Sequence, residues 1–308
     1  MTPSVTVAVL TYRRPDHLAE LLPMLVAEAR SLSPAASVLV IDNDPDASTA
    51  AALSTTGLAA EVRIVHEPTP GIAAARNRAL DEASTRLLVF IDDDERPETG
   101  WLGHLVAAHE RFHADAVAGP VLPRFATEPD AWITAGRFFV HPTRLTGSVR
   151  PVAATNNLLL DLDVVRELGL RFDLRYGLTG GSDTVFTRAL TAAGKRIVWC
   201  AEAPVHDIVP AERATRSWVL RRAYRLANTA SRVQLDGLGL GARPVTTAKI
   251  VVQGVGRCAV GAVRVALGSL TRNLATNARG HRLIARGRGM LAGAFGSVFA
   301  EYSRGPQS

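Results

Sequence analysis

The chain has 308 residues, 47% of them hydrophobic and 21% charged, with a formal net charge of +6. That balance excludes wholesale disorder and accommodates one large domain or two modest ones. Its two cysteines, Cys200 and Cys258, are too few for a disulfide framework or a four-thiolate zinc site.

The net charge hides an asymmetry. Residues 1–212 hold 19 basic and 27 acidic side chains, a net of −8, whereas residues 213–308 hold 16 basic and 2 acidic, a net of +14. An acidic body with a basic tail implies two parts with different partners. The opening MTPSVTVAVLTYRRP lacks a basic leader and has only a short apolar run, so it reads as the start of a cytoplasmic protein.

Taken in chain order, β-branched runs at Ser4–Leu10, Ser37–Ile41, Val62–His66 and Leu87–Ile91 predict strands. Ala116–Val121, Asn157–Leu160 and Arg196–Trp199 continue the series. Helical patterns fall between the early runs, at Pro15–Ser31, Ala47–Leu58 and Gly71–Ser84. Alternation of this kind, with strands apolar throughout, predicts an α/β fold whose mostly parallel sheet is covered by helices on both faces. Ligands of such sheets sit beyond the carboxyl ends of the strands. There SVTVAVL runs into Thr11, SVLVI into Asp42-Asn43-Asp44, and LLVFI into Asp92-Asp93-Asp94-Glu95.

From about Ala214 the β signal ends and arginine-rich helix begins. Thr215–Leu235 reads as one helix, broken by the glycines of 237–241 and by Pro244. Beyond the break Lys249, Arg257, Arg264, Arg272, Arg279 and Arg286 recur every seven or eight residues, a spacing that predicts one basic helical face. Gly254, Gly261, Gly268 and Ala275 form a parallel small-residue stripe suited to close helix contact. Ile250–Leu270 is apolar, but Arg257 and Arg264 would each cost about 2.5–3.5 kcal/mol at a bilayer centre. The segment therefore reads as an interfacial helix on an anionic membrane surface, or as a face packed on the body or on a second subunit.

The acidic run carries the strongest chemical signal. Adjacent carboxylates ending a buried strand repel one another, and a divalent cation with oxygen ligands, Mg²⁺ or Mn²⁺, relieves that repulsion and holds a substrate diphosphate. A solvated acidic turn is the plainer alternative.

The stretches VAVLTYRRPDHL, VLVIDNDPDAS, GIAAARNRAL and LLVFIDDDERPETGWL resemble family 2 glycosyltransferases of the GT-A fold. TNNLLLD, FDLRYGLTGGSDTVFTRALTAAGKRIVWC and VHDIVPAER extend the resemblance to roughly residues 4–225, and it is strongest to bacterial exopolysaccharide glucosyltransferases of the succinoglycan type. It implies a transferase domain over 1–225 and a basic helical region over 226–308. Thr11, Asp42, Arg76, Asp92 and Asp93 then fall on the nucleotide-sugar, Asp42 at the uracil and Asp93 at the ribose. Asp92 and Asp94 match the DxD acids, Asp94 as the main metal ligand, with His206 as a ligand from the opposite wall.

By the same resemblance Asp183, in Gly180-Gly-Ser-Asp-Thr184, is the general base, although Ser182 stands where glutamate is common. A helix-capping role is the alternative for Asp183, a surface arginine for Arg76, and an ordinary surface or core histidine for His206. Arg221 or Arg222 falls near the leaving diphosphate or else on a basic solvated helix. The implied function is metal-dependent, inverting transfer of a sugar from a nucleotide-sugar, a UDP-sugar first, to a saccharide, lipid-linked or other hydroxyl acceptor. The enzyme is expected to be cytoplasmic and peripheral at the inner face of the membrane.

A sugar nucleotidyltransferase should open on a glycine-rich phosphate loop, and VAVLTYRRP has no glycine. A non-catalytic scaffold would have no need of both Asp94 and Asp183. A nucleic-acid partner is not expected, because the tail aromatics Trp218, Tyr224, Phe295, Phe299 and Tyr302 form no stacking module.

Overall fold

The structure, a computed structural model, describes residues 4–47, 49, 60–140, 144–239 and 241–298. The helix expected over Ala47–Leu58 falls almost wholly outside them. The chain divides into two compact units, Met1–Leu122 with Pro142–Ile208, and Pro123–His141 with Val209–Ser308.

The first unit is built on β1 (Val5–Thr11), β2 (Ser37–Asp42), β3 (Val62–His66) and β4 (Leu87–Asp92), which run parallel in the order β3-β2-β1-β4. Helix α1 (Pro15–Ser31) follows β1, and α2 (Ile72–Glu82) joins β3 to β4. After β4 come the short β5 (Glu95–Pro97) and α3 (Trp101–Phe112). The expected strand over 116–121 is two strands, β6 (Ala116–Ala118) and β7 (Val121–Phe125), and β7 leads into the second unit. There the chain forms α4 (Ala131–Gly136) before returning through β8 (Val149–Arg150) and β9 (Asn157–Asp161).

Strand β9 lies between β4 and β6, antiparallel to both, and is the main departure from a parallel sheet. Helices α5 (Leu162–Glu167) and α6 (Ser182–Ala192), then β10 (Ile197–Trp199) and β11 (Val205–Val209), complete the unit. β11 pairs antiparallel with β5 outside the main sheet.

The period-2 rule of a strand explains why VTVAVL is apolar on both faces apart from Thr6, whose hydroxyl bonds with those of Ser37 and Thr85. Val5, Val7 and Val9 bury against Leu18, Leu21 and Leu25 of α1 and Leu102 and Leu105 of α3. Ala8 and Leu10 bury on the opposite face with Ala75 and Ala79 of α2 and Phe186 of α6. With both faces covered, only the strand ends are left for polar chemistry.

The second unit contains α7 (Arg216–Leu235), α8 (Ala242–Leu270) and α9 (Leu274–Ala294). The boundary expected at 225 falls inside α7, because Val219, Ala223 and Ala227 form one buried face of a continuous helix. Trp132, Ile133, Phe139, Val219 and Ala278 make the unit's own core. The single basic face expected from Lys249 to Arg286 is divided by the turn at 271–273, where Asn273 caps α9 by accepting from the Thr276 amide at 2.9 Å.

Glycines set the helix spacing. A methyl on Gly261 would lie 2.7 Å from Ile284 Cγ1 and 2.8 Å from the Gly280 carbonyl oxygen. On the other side of α9, a methyl on Gly293 would come 2.5 Å from the carbonyl oxygen of Asn228 in α7. Gly261→Val should therefore destabilise the helical unit by about 1–3 kcal/mol through overpacking, read as a lowered urea midpoint of the helical circular dichroism. An unchanged midpoint would show that the α8–α9 seam yields to a side chain.

Candidate active site

The parallel register aligns the strand ends. Thr11 pairs with Asp42, and Leu10 pairs with Asp92, so β1, β2 and β4 deliver a hydroxyl and two carboxylates to one sheet edge. Thr11 Oγ1 donates to Asp93 Oδ2 at 2.9 Å, within the protein interior. Arg14 Nη1, just past β1, donates to Asp93 Oδ1 at 2.8 Å and to Asp94 Oδ2 at 3.2 Å.

Asp42 is fully buried, and its two carboxylate oxygens accept the amides of Asp44 and Thr49, each at 3.0 Å. It thus organises the turn after β2, and this is the geometry in which any contact with a base has to be made. Asn43 reinforces the turn by donating to the carbonyls of Glu67 and Thr69 and accepting the Gly71 amide at 3.1 Å.

Burial, then the negative charge of Asp94, pushes the Asp92 carboxyl up to about 7, with Asp93 and Asp207 adding to the effect and Arg76 opposing it. Burial likewise raises Asp93, against the pull of Arg14. Glu95 is raised well above the usual range, first by burial and then by Asp92. Glu95 Oε2 accepts the Asp92 amide at 3.1 Å, and its Oε1 accepts from Asn156 Nδ2 at 2.9 Å. Asn156 reaches it because Asn157 begins β9 opposite Ile91.

Arg76 is buried on α2. Its Nη1 donates to Ser182 Oγ at 2.8 Å, and its guanidinium lies over the Phe172 ring at 5.5 Å. The neighbouring Asn77 exchanges two hydrogen bonds with the Phe172 backbone, at 2.9 and 2.8 Å. The ARN stretch of α2 therefore holds the segment leading to α6, while Arg76 also acts on Asp92 through its charge. Two glycines allow this closeness. Gly71 has φ 113°, and a methyl on it would sit 3.1 Å from the Gly177 carbonyl; Gly181, at φ 104°, turns the chain into α6.

Asp183 lies in the first turn of α6, half-buried. Its Oδ1 accepts the Thr184 amide at 2.7 Å. Ser182 is fully buried against Arg76 and anchors the first turn of this helix.

His206 is placed apart from the acids in its bonding. Its Nε2 lies 2.7 Å from Glu98 Oε1, and strand alternation turns it to the face opposite Asp207. Asp207 pairs with Glu95 across β5–β11, and its charge bears on both Asp92 and Glu95. Asp207, Asn156 and Arg14 are the contributors that the sequence reading did not single out.

Among the described residues no three His, Cys, Asp or Glu side chains converge as a ready metal cage. The crowded hard-oxygen groups nonetheless suit Mg²⁺ or Mn²⁺, which commonly take one or two carboxylates and complete their shell with substrate phosphates and water. In the second unit, Arg222 lies over Phe139 and Trp218, at 5.8 and 5.4 Å.

A mostly parallel sheet clad on both faces, with hydroxyl and carboxylate groups at its carboxyl edge, defines an α/β enzyme built to receive a polar ligand there. The model of the Glycosyl transferase family 2 matches residues 6–169, just over half of the chain. The chain is 36% identical over 234 residues to the succinoglycan biosynthesis protein ExoM of Rhizobium meliloti, covering 74% of each. It belongs to glycosyltransferase family 2 and is a glycosyltransferase.

Solved structures agree on the fold. S. aureus TarS 1–349 in complex with UDP-GlcNAc matches with a TM-score of 0.52 at 15% identity, over 91% of this chain and 90% of that one. GalNAc-T7 with UDP, GalNAc and Mn²⁺ matches at 0.56 and 13% identity, over 75% of this chain and 51% of that one.

Asp92 and Glu95 have a measurable signature. Acids whose folded pKa is raised stabilise the folded chain fully only below their unfolded values, 3.8 for Asp92, and lose that contribution as pH rises through the folded value of about 7. The metal-free protein should therefore lose thermal stability between about pH 4 and about pH 7, and Asp92→Asn should flatten that loss. An identical pH slope in wild type and variant would remove the assignment.

Proposed function

We propose that the enzyme transfers a sugar from a UDP-sugar to a hydroxyl of a saccharide or lipid-linked acceptor, with inversion at the anomeric carbon. The observation that carries this reading is Arg76, whose guanidinium is hydrogen-bonded to Ser182, next to Asp183, and acts electrostatically on Asp92. One side chain thus connects the strand-end acids with the first turn of α6.

On this reading Thr11, Asp42, Arg76, Asp92 and Asp93 form the wall against which the nucleotide-sugar lies. Asp94, with Asp92, would hold Mg²⁺ or Mn²⁺; His206 would join that set only by exchanging Glu98 for the ion. The cation supplies charge stabilisation for the departing diphosphate when bound. Asp183 accepts the proton of the acceptor hydroxyl as its oxygen bonds to C1. The C1–oxygen bond to the diphosphate breaks on the opposite side, and UDP leaves with that electron pair. Asp183 suits the task by its place, half-buried in the first turn of α6 beside the Ser182 that Arg76 holds. The enzyme would work from the cytoplasm on acceptors held at the inner face of the membrane.

Asp183→Asn keeps shape and removes the base. UDP release from a panel of UDP-sugars, with water or added saccharide as acceptor, should fall about 10²-fold or more. UDP-sugar affinity should stay near wild type. Near-full turnover in the variant would overturn the role given to Asp183.

A further inference from the structure

Helix α8 shows two opposite characters. Its glycine side, with Gly254, Gly261, Gly268 and Ile250, is buried in the seam with α9. Its outer side is apolar and open: Val252 is 71% exposed, Val263 59% and Leu270 82%. At about 3.6 residues per turn, Val245, Val252, Val263 and Leu270 fall within about 20° of one line along the helix, roughly opposite the glycines. An apolar strip of this length is unusual on a surface left to water.

Charge decides what covers it. Lys249, Arg257 and Arg264 lie along one flank of the strip, and residues 213–308 carry 16 basic side chains against 2 acidic. A second copy joined through this same face would bring like charge against like charge. An anionic phospholipid surface supplies the opposite sign along with an apolar layer beneath it.

The helix has the length and mean hydropathy, 1.5 over its most apolar window, to cross a bilayer. Yet Arg257 sits in its middle third and Arg264 one turn from that third's end, and its seam partner α9 carries Arg279, Arg282, Arg286 and Arg288. A hairpin with that charge distribution spans poorly and lies flat well, its arginines reaching the phosphates from the waterline.

We propose that the outer face of α8 is a membrane-binding surface, lying in the plane of an anionic leaflet with Val252, Val263 and Leu270 at the acyl boundary. The proposal rests on the peripheral placement given above and is independent of the donor and of the transfer chemistry.

Flotation of the full chain with vesicles tests it, comparing phosphatidylcholine alone with phosphatidylcholine containing phosphatidylglycerol. The anionic vesicles should bind about tenfold tighter or more, and high salt should loosen them. Val252→Asp with Val263→Asp should weaken binding about tenfold or more while leaving UDP affinity unchanged. Lys249→Glu with Arg264→Glu, all on exposed positions, should do the same by charge alone and serves if the first variant folds poorly.

Equal binding to both vesicles, or full binding by either double variant, would overturn the proposal. So would membranes from expressing cells that retain the protein through alkaline carbonate, which indicates a spanning helix. A lipid-free dimer abolished by Val252→Asp with Val263→Asp would assign the face to a second copy. Normal vesicle binding by a chain without transferase activity would leave this proposal standing and count against the transfer reading alone.

Discussion

Asp92, Asp93, Asp94 and Glu95 follow one another at the end of a strand buried on both faces, and Asp207 brings a further carboxylate from β11. The sheet gives them nowhere to spread. Val89 and Ile91 are committed to one core and Phe90 to the other, so the first residues free of packing are acids. Burial and their mutual repulsion push Asp92 up to about 7 and raise Glu95 well above the usual carboxylate range. Thr11, Asn156, Arg14 and the backbone offset this through the hydrogen bonds to Asp93, Asp94 and Glu95, and Arg76 does so through its charge on Asp92. A site in this condition gains by accepting positive charge, and a diphosphate bound beside it brings the need for the same charge.

The rest of the first unit positions chemistry around that edge. Helix α2 does most of it, because Arg76 and Asn77 grip Ser182 and Phe172 respectively. The buried Arg76–Ser182 bond is held between a guanidinium stacked on Phe172 and a serine with no solvent exposure. The bond ties the first turn of α6, where Asp183 stands, to α2.

The sheet edge was legible in the sequence because β1, β2 and β4 are apolar runs that stop abruptly at Thr11, Asp42 and Asp92. Strand β9 was legible as a strand but not in direction: NLLLD fits a parallel or antiparallel place equally, and only its partners β4 and β6 decide. The work of Arg76 was hidden because its partner lies 106 residues away. His206 and Asp207 could not be told apart without the β5–β11 register, which sets the face on which each side chain stands. In the tail, seven-residue spacing alone suggested one continuous face; the Asn273 cap, readable as Asn-Leu-Ala-Thr276, divides it into two helices.

The central claim is that the strand-end acids accept the donor diphosphate through a divalent cation. Calorimetric titration of the full chain with UDP, in Mn²⁺ and in EDTA, addresses it directly. The account predicts affinity at least about tenfold higher with Mn²⁺, and loss of that gain in Asp94→Ala. Equal UDP affinity in the two buffers, or an undiminished Mn²⁺ effect in Asp94→Ala, would contradict it.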